Sequence, residues 1–245
     1  ESLCRQQGFS SAHATFIEPE QVPLFEQAGW LMRSDIQFHW ENCGYSTFED
    51  FLGELSSRKR KGIRKEREAA QAGVEIRALK GSDIREEHWD IFWLFYQDTG
   101  ARKWGQPYLT REAFSLFGER MADRILLILA YEDGRPIAGA LNFIGGDALY
   151  GRYWGCSVDK PFLHFELCYY AAMDEAITRG LKRVEAGAQG GHKLMRGYEP
   201  VKTWSAHWIA DPGFSRAVAD YLEQERAGVS LDQLQLGKRT PFRKG

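Results

Sequence analysis

The sequence predicts a mixed α/β fold, in which a sheet is flanked by helices. Three apolar runs are separated by the turn signals Asp133-Gly134 and Gly145-Gly146-Asp147, which indicates a meander of three strands. The runs cover residues 125–131, 136–144 and 148–156. A helix-like segment at 162–179 and a short apolar stretch at 181–186 follow, and this order predicts a right-handed crossover between two parallel strands.

The segments before the meander complete the predicted fold. Residues 74–79 have the pattern of a strand, and helix-like segments follow at 84–99 and 110–121. The resulting order of elements is a strand, two helices, a meander, a helix and a strand. This is the order of acetyltransferase-like (GNAT) folds, so we expect such a mixed sheet. The loop between the two helices, with Arg102, Lys103 and Trp104, is expected to overhang a cleft.

Length and composition indicate a soluble protein with a sizeable core. Of the 245 residues, 43% are hydrophobic, and no apolar run approaches the roughly 20 residues of a membrane span. No signal-peptide pattern lies near Glu1, so a cytoplasmic location is expected. The cysteines lack paired spacing, which predicts free thiols rather than a zinc site or a disulfide framework. They are Cys4, Cys43, Cys156 and Cys168.

A cluster of positive charge lies in the second half of a long helix that is predicted to begin at Thr47, with Thr47 or Ser46 as its cap. Seven of the ten residues at 58–67 are Lys or Arg, in a chain of net charge −2. Arg60, Arg64 and Arg67 recur at helical spacing, so they are candidates to bind the phosphates of a ligand. The alternatives are a solvated helix face, a nuclear-localisation signal and a nucleic-acid contact. Neutralising the three arginines is expected to weaken anion binding but to alter melting little, because exposed charges contribute at most about 1 kcal/mol each.

The least generic stretch runs from Glu185 to Gly197, where small residues surround a few polar ones. Acyl transfer to an amine requires a base, stabilisation of the oxyanion and a slot that aligns donor and acceptor. Glu185 is the candidate general base, and we expect it to line the slot with Gln189 and Lys193. The alternative for Glu185 is an ion pair with Arg183 or Arg152. Lys193 and Arg196 are candidates to hold a phosphate or polarise a carbonyl, and a surface loop is the alternative.

The start of the crossover helix is predicted to favour anions, because backbone amides point outward there, next to His164 and Glu166. The turn before it holds Asp159, Pro161 and bulky Phe162 instead of the glycine-rich run that cradles a pyrophosphate, which disfavours acetyl-CoA as the donor. Tyr153 and Trp154 are candidates to stack on a sugar or a base, with a place in the core as the alternative. No metal site is predicted, since the polar residues nearby lack ligand spacing.

Several short motifs resemble those of one family. They are Gln37-Phe-His-Trp40, Phe48 to Leu52, Arg58-Lys-Arg-Lys61, Ile63 to Arg67, Tyr153-Trp-Gly-Cys156, Phe162 to Tyr170, Glu185-Ala-Gly-Ala-Gln189, His192-Lys193, Arg196-Gly197 and Ser205-Ala-His-Trp208. Through them the chain closely resembles the GNAT-related family of peptidoglycan biosynthesis/recognition proteins, which is similar to FemAB-type aminoacyl transferases. The resemblance implies two tandem acetyltransferase-like domains that join amino acids to peptidoglycan precursors, with aminoacyl-tRNA as the donor. It places His192 with the catalytic candidates. One departure is Gly191, where an acid is expected in the Gln-Gly-x-His-Lys motif.

The resemblance and the order of elements together predict the domain organisation. The predicted regions are the C-terminal part of a first acetyltransferase-like domain (1–46), a long basic connecting helix (47–73), a second such domain (74–230) and a flexible basic tail (231–245). The front half of the first domain would precede Glu1, so we expect a fragment of a longer protein.

The predicted function is an acyl or aminoacyl transferase that forms an amide on an anionic acceptor, either peptidoglycan-precursor-like or nucleotide-linked. Two alternatives belong to other functional classes. One is a ligand-binding (recognition) module that has the same fold and lacks the reaction. The other is a tRNA- or RNA-binding protein centred on the basic helix.

Overall fold

The computed structural model describes residues 1–102 and 107–243, so Lys103 and Trp104 of the predicted overhanging loop lie outside the described residues. The strands are β1 (Ser11–Ile17), β2 (Leu31–Glu41), β3 (Glu75–Lys80), β4 (Ile125–Glu132), β5 (Arg135–Ile144), β6 (Ala148–Cys156), β7 (Arg183–Glu185) and β8 (Glu199–Ile209). They pair in the order β1-β8-β2-β7-β6-β5-β4-β3. β3 to β6 form an antiparallel meander, and β6 is parallel to β7. The predicted mixed sheet and the parallel crossover are therefore confirmed.

Helices lie between these strands. They are α1 (Ser2–Gln7), α2 (Val22–Gln27), α3 (Phe48–Glu54), α4 (Ser57–Gln71), α5 (Glu86–Arg102), α6 (Arg111–Met121), α7 (Leu163–Phe165), α8 (Ala171–Thr178) and α9 (Pro212–Gly237). Short 3₁₀ helices cover Pro19–Gln21, Gly81–Asp83, Ala122–Arg124 and Gly191–Arg196. The predicted crossover helix is not α-helical throughout, because Glu166–Tyr170 join α7 to α8 as a π-helical turn. Such turns occur frequently at functional sites.

The chain forms two compact units whose boundaries differ from the predicted ones. The first unit contains residues 1–38, 188–194 and 199–240, and the second contains residues 39–187 and 195–198 with the segment that begins at Pro241. β8 pairs with β1, so residues from 199 onward fold with the N-terminal elements rather than with the predicted domain at 74–230. Helix α9 also continues to Gly237, which makes the first part of the predicted flexible tail helical.

The predicted long helix at 47–73 is wrong as a single element, because it is broken between α3 and α4. Thr47 caps α3 through a hydrogen bond from the amide of Asp50 to its hydroxyl, as predicted. Leu55 then takes an extended conformation and forms a β-bridge with Phe242, while the amide of Ser56 donates to the carbonyl of Pro241. The helix ends here because the C-terminal segment takes over the backbone hydrogen bonds of this region.

The core of the second unit lies between the meander and helices α5 and α6. β4 is buried from Ile125 to Tyr131, as expected for a central strand. Trp89, Phe92 and Phe114 cover it and are at most 1% exposed. α5 approaches the strands so closely that a Cβ at Gly155 of β6 would lie 2.2 Å from the carbonyl oxygen of Phe95. Glycine is therefore required at this position.

In the first unit, α9 is attached to the sheet by polar contacts. The guanidinium of Arg33 on β2 donates two hydrogen bonds of 2.8 and 2.9 Å to the carboxylate of Glu225. Lys202 on β8 donates to the hydroxyl of Ser230 over 3.1 Å. Ala206, Trp208 and Leu222 form part of the buried apolar interior of this unit. α9 and β8 were not assigned from the sequence.

Candidate active site at the end of the parallel strand pair

The pairing of β6 with β7 covers only the first third of β6. The last pair in register is Tyr150 with Glu185, whereas β6 continues to Cys156. We call this point the fork. The pairing of β6 with β5 shifts register between Gly151 and Tyr153, so a β-bulge lies immediately after the fork. Bulges re-aim side chains and end strand pairing, and they are common beside active sites.

Glu185 lies at the fork and is held by two basic side chains. Its Oε1 accepts a hydrogen bond of 2.8 Å from Nε of Arg183, and its Oε2 lies 3.7 Å from Nε2 of His39. The side chain is 17% exposed. The predicted alternative, an ion pair with Arg183, is therefore present, and the hydrogen bond that Arg183 donates to Glu185 raises the pKa of Arg183. Arg152 instead lies over the ring of Tyr153.

His39 is a site residue that the sequence analysis did not select. It lies on β2 directly opposite Glu185 in the β2–β7 pairing. Burial lowers the pKa of His39, although the negative charge of Glu185 acts to raise it. The imidazole is therefore neutral at neutral pH. The two residues are far apart in the chain, and only the strand pairing brings them together. The Gln37-Phe-His-Trp40 motif was the one sequence signal that included His39.

A cavity of about 330 Å³ opens where β6 meets the crossover helix, and we call it the turn cavity. Its lining residues are Thr99, Trp154, Cys156, Val158, Asp159, Lys160, Leu163 and His164. The predicted site residues Trp154 and His164 meet here edge to face, with ring centroids 5.1 Å apart. Oγ1 of Thr99 is buried and has no hydrogen-bond partner among the described residues.

The turn that lines this cavity does not fit a pyrophosphate. Asp159 adds a negative charge, and Pro161 has no N–H to donate. Lys160 is engaged, since its Nζ lies 2.5 Å from Oε1 of Glu132. Phe162 has a positive φ of 63°, which fixes the backbone in a conformation rare for an aromatic residue. The composition of this turn therefore disfavours the binding of a pyrophosphate by backbone amides.

Tyr153, predicted to stack on a ligand, packs within the second unit. Its ring contacts that of Tyr96 edge to face, and its hydroxyl forms a hydrogen bond with the hydroxyl of Tyr108. Burial, with a further contribution from Tyr108, raises the pKa of Tyr153 to about 12. The side chain is therefore protonated at neutral pH, and its surroundings favour the alternative of a core position.

Two predicted ligand-binding residues, Arg67 and Glu166, bind each other. Nη2 of Arg67 lies 2.8 Å from Oε1 of Glu166 and 2.7 Å from Oδ2 of Asp174. The side-chain amide of Gln71 donates to the carboxylate of Glu166 over 2.9 Å. Glu166 is 1% exposed, so the charges neutralise each other in the interior. These contacts attach α4 to the π-helical turn and to α8.

The predicted phosphate-binding stripe is therefore not a set of three equivalent free cations. Arg64 forms a salt bridge of 2.5 Å with Glu49 at the surface, where the two side chains are 54% and 62% exposed. The hydrogen bond from Arg64 is the main reason that the pKa of Glu49 is lowered, and Arg60 contributes electrostatically. Arg67 is paired inside the second unit, which corrects the expectation that its neutralisation would leave stability unchanged.

Arg196 also has a partner inside the second unit. Its guanidinium donates to the carboxylate of Glu66 over 2.9 and 3.1 Å and lies 3.5 Å from the ring centroid of Phe165. The same carboxylate accepts a hydrogen bond of 2.5 Å from the hydroxyl of Tyr170. Arg196 is 7% exposed, so the alternative of a surface loop does not hold at this residue.

The other candidates of this loop belong to the first unit. Gln189 and His192 are exposed, whereas Lys193 is 4% exposed and its Nζ lies 5.5 Å from the ring centroid of Phe38. Gly190 has a φ of 105°, and a Cβ there would lie 2.4 Å from the imidazole of His192. Glu185 belongs to the second unit. That Glu185, Gln189 and Lys193 line one slot stays a prediction.

Comparison with solved structures shows a shared fold. The chain superposes on L-PGS from Bacillus licheniformis with a TM-score of 0.63 and 12% identity, covering 90% of this chain and 75% of that one. The C-terminal domain of a protein described as a lysylphosphatidylglycerol synthetase, from Agrobacterium fabrum, gives 0.60 and 12%, covering 89% and 73%. FemX gives 0.55 and 11%, covering 89% and 70%.

Comparison at the level of sequence gives one result. The profile of a FemAB-like family, described as peptidoglycan biosynthesis/recognition, matches residues 1–244. No individual curated protein matches the chain. In the part of the chain that the structure describes, no helix is both long and apolar enough to cross a membrane.

Proposed function

Because the chain belongs to the FemAB-like family of peptidoglycan biosynthesis/recognition proteins, we propose that it is an acyl or aminoacyl transferase. It forms an amide on an amine of an anionic acceptor that resembles a peptidoglycan precursor. The observation that carries this proposal is the fork, where an acid and a neutral histidine meet at the end of the parallel pairing. Beyond this point β6 continues to Cys156 without pairing to β7, so a strand edge opens there.

The proposed reaction moves one acyl group and one proton. The amine nitrogen of the acceptor attacks the carbonyl carbon of the donor ester, so that a C–N bond forms as the C–O bond breaks. The proton lost by the amine passes to a base and then to the leaving oxygen. Backbone amides at the open edge of β6 are suited to stabilise the oxyanion, because they lie beyond the last pair with β7.

His39 and Glu185 act together as the base in this proposal. The neutral imidazole of His39 accepts the proton, and Oε2 of Glu185, 3.7 Å away, stabilises the imidazolium that results. Arg183 donates a hydrogen bond to the other carboxylate oxygen and so fixes the orientation of Glu185. Lys193 and His192 remain proposed catalytic residues, and Gln189 remains a proposed contact with the substrate.

The proposed donor is an aminoacyl-tRNA rather than acetyl-CoA. The crossover turn does not fit a pyrophosphate, since it carries Asp159 and its lysine is paired. A protein of similar fold is named for the synthesis of lysylphosphatidylglycerol, a product that joins an amino acid to an anionic molecule. The basic helix, with Arg60 and the exposed lysines at 61 and 65, is the proposed contact for phosphates of the acceptor or of tRNA.

A transfer assay tests the proposal. The protein is incubated with tRNA that carries radiolabelled amino acids and with a nucleotide-linked peptidoglycan precursor, and label in the precursor is measured. We expect transfer, and a loss of about 10²-fold or more in rate for Glu185→Gln and His39→Gln. Glu75→Gln is the matched control, because its carboxylate forms a surface pair with Arg77 and is 60% exposed. A full rate in both site variants would contradict the proposal.

A second candidate is a recognition module that binds the same acceptor without reaction. It is favoured by the ion pair between Glu185 and Arg183, because Arg183 engages a carboxylate oxygen that a general base would use. Calorimetry with the precursor separates the two. Binding without transfer in any donor condition would support the module, whereas binding with transfer supports the enzyme.

A further inference from the structure

Two Ser-x-His motifs face each other on neighbouring strands of the first unit. Ser11 and His13 lie on β1, and Ser205 and His207 lie on β8. His13 and His207 are directly opposite in the antiparallel register. Side chains in such cross-strand pairs are neighbours on one face of the sheet. The proposed transferase reaction does not use these residues.

The two imidazoles present the same nitrogen to each other. Nδ1 of His13 lies 2.7 Å from Nδ1 of His207, and the ring centroids are 5.0 Å apart. Nε2 of His13 lies 2.9 Å from Oγ of Ser11, and Nε2 of His207 lies 3.0 Å from Oγ of Ser205. Each ring therefore has a hydroxyl that can accept a hydrogen bond from its Nε2–H.

This arrangement matches what a metal ion requires of histidine ligands. A ligating imidazole binds with one nitrogen and usually donates its other N–H to an oxygen that fixes the tautomer. When both Nε2–H groups donate to the serines, the two Nδ1 lone pairs are on the same side of a shared gap. We propose that His13 and His207 form a surface site for a divalent transition-metal ion, with Ser11 and Ser205 as the positioning residues.

The separation of the two nitrogens favours one type of ion. Metal–nitrogen bonds of about 2.0–2.1 Å place two ligating nitrogens about 2.9 Å apart at a right angle and about 3.3 Å apart at a tetrahedral angle. The observed 2.7 Å is nearer to the first value. Square-planar and tetragonal coordination by nitrogen is typical of Cu²⁺ and Ni²⁺, so Cu²⁺ is expected to bind more tightly than Zn²⁺.

The surroundings leave room for further ligands. His13 is exposed and β1 is at the edge of the strand order, so solvent reaches the pair. No group of three or more His, Cys, Asp or Glu side chains within the described residues is arranged to hold a metal, so the protein supplies two ligands here. Water or an anionic ligand completes the coordination. The carboxylate of Glu225 acts on His207 electrostatically but is engaged by Arg33.

Metal binding by the whole chain tests this site. The protein is stripped with a chelator and titrated by calorimetry with Cu²⁺ and, separately, Zn²⁺, and the Cu²⁺ complex is examined by electron paramagnetic resonance. We expect one Cu²⁺ per chain, a spectrum with nitrogen coupling, and binding of Cu²⁺ at least 10-fold tighter than that of Zn²⁺. His13→Gln and His207→Gln should each weaken Cu²⁺ binding at least 10-fold.

Two further variants distinguish the proposed site from adventitious binding. Ser205→Ala leaves both ligands in place and should weaken Cu²⁺ binding by about 10-fold or more, because the positioning hydroxyl is lost. His192→Gln removes another exposed histidine of the same unit and should leave Cu²⁺ binding unchanged. Melting curves of each variant show whether it is folded. Unchanged binding in folded His13→Gln, a loss in His192→Gln, or no binding at micromolar Cu²⁺ would overturn the proposal.

Discussion

The substitution Arg67→Met should cost more stability than any change at a surface arginine. Methionine keeps an unbranched apolar stem and removes the guanidinium charge. Glu166, 1% exposed, then loses its ion pair of 2.8 Å, and Gln71 becomes its main remaining donor. Removing one partner of a buried pair leaves an uncompensated charge and costs about 3–5 kcal/mol. Since a domain is typically stable by about 5–15 kcal/mol in total, the effect should be large.

Urea unfolding followed by circular dichroism measures this cost. Arg64→Met is the matched control, because it lies on the same helix in a pair whose side chains are 54% and 62% exposed, and it should cost at most about 1 kcal/mol. Adding Glu166→Leu to Arg67→Met removes the buried charge and should restore part of the lost free energy. If Arg67→Met and Arg64→Met unfold at the same urea concentration, the assignment of Arg67 to a buried structural pair is wrong.

Three further outcomes are expected. Burial lowers the pKa of His39 and of His88, so below about pH 6.5 the unfolded chain binds more protons than the folded one. As the pH is lowered from about 6.5, the free energy of unfolding should therefore decrease, by up to about 1.4 kcal/mol per pH unit for each histidine. Constant stability from pH 6.5 to 5 in urea titrations would argue against this. Gly155→Ala should destabilise by about 1–3 kcal/mol because its Cβ meets the Phe95 backbone, whereas Gly146→Ala, with open space around it, should change little. Calorimetry with acetyl-CoA should show no micromolar binding. Micromolar binding that competes with a natural ligand would refute the claim that the turn at Asp159 does not fit the pyrophosphate of this cofactor.

Patterns within continuous stretches of the sequence predicted the meander, the parallel crossover and the start of α3. The meander followed from turn signals between apolar runs, and the parallel neighbours β6 and β7 followed from a helix of sufficient length between two strands. The start of α3 followed from the capping residue Thr47. Each of these features is decided within one continuous stretch of the chain, so one sequence was enough.

The remaining features depend on contacts between distant parts of the chain. The break before Ser56 arises because the backbone near Pro241 pairs with it, and no local residue indicates it. The helical spacing of Arg67 with the other arginines is typical of a phosphate site. Only the ion pair with Glu166, on another helix, shows that the charge of Arg67 is neutralised inside the protein. His39 becomes a site residue only through the register that places it opposite Glu185. Periodicity and motif spacing do not contain this information.

The π-helical turn has a consequence for the angular position of the side chains that follow it. Asp174 lies eight positions after Glu166, which in a regular α-helix puts their side chains about 80° apart around the axis. A π turn takes up about one extra residue, which reduces this angle to about 20°. Both carboxylates then face the single guanidinium of Arg67. One additional codon within the crossover helix is thus enough to create a two-carboxylate binding position for an arginine, and the loss of one codon would abolish it without changing either acid.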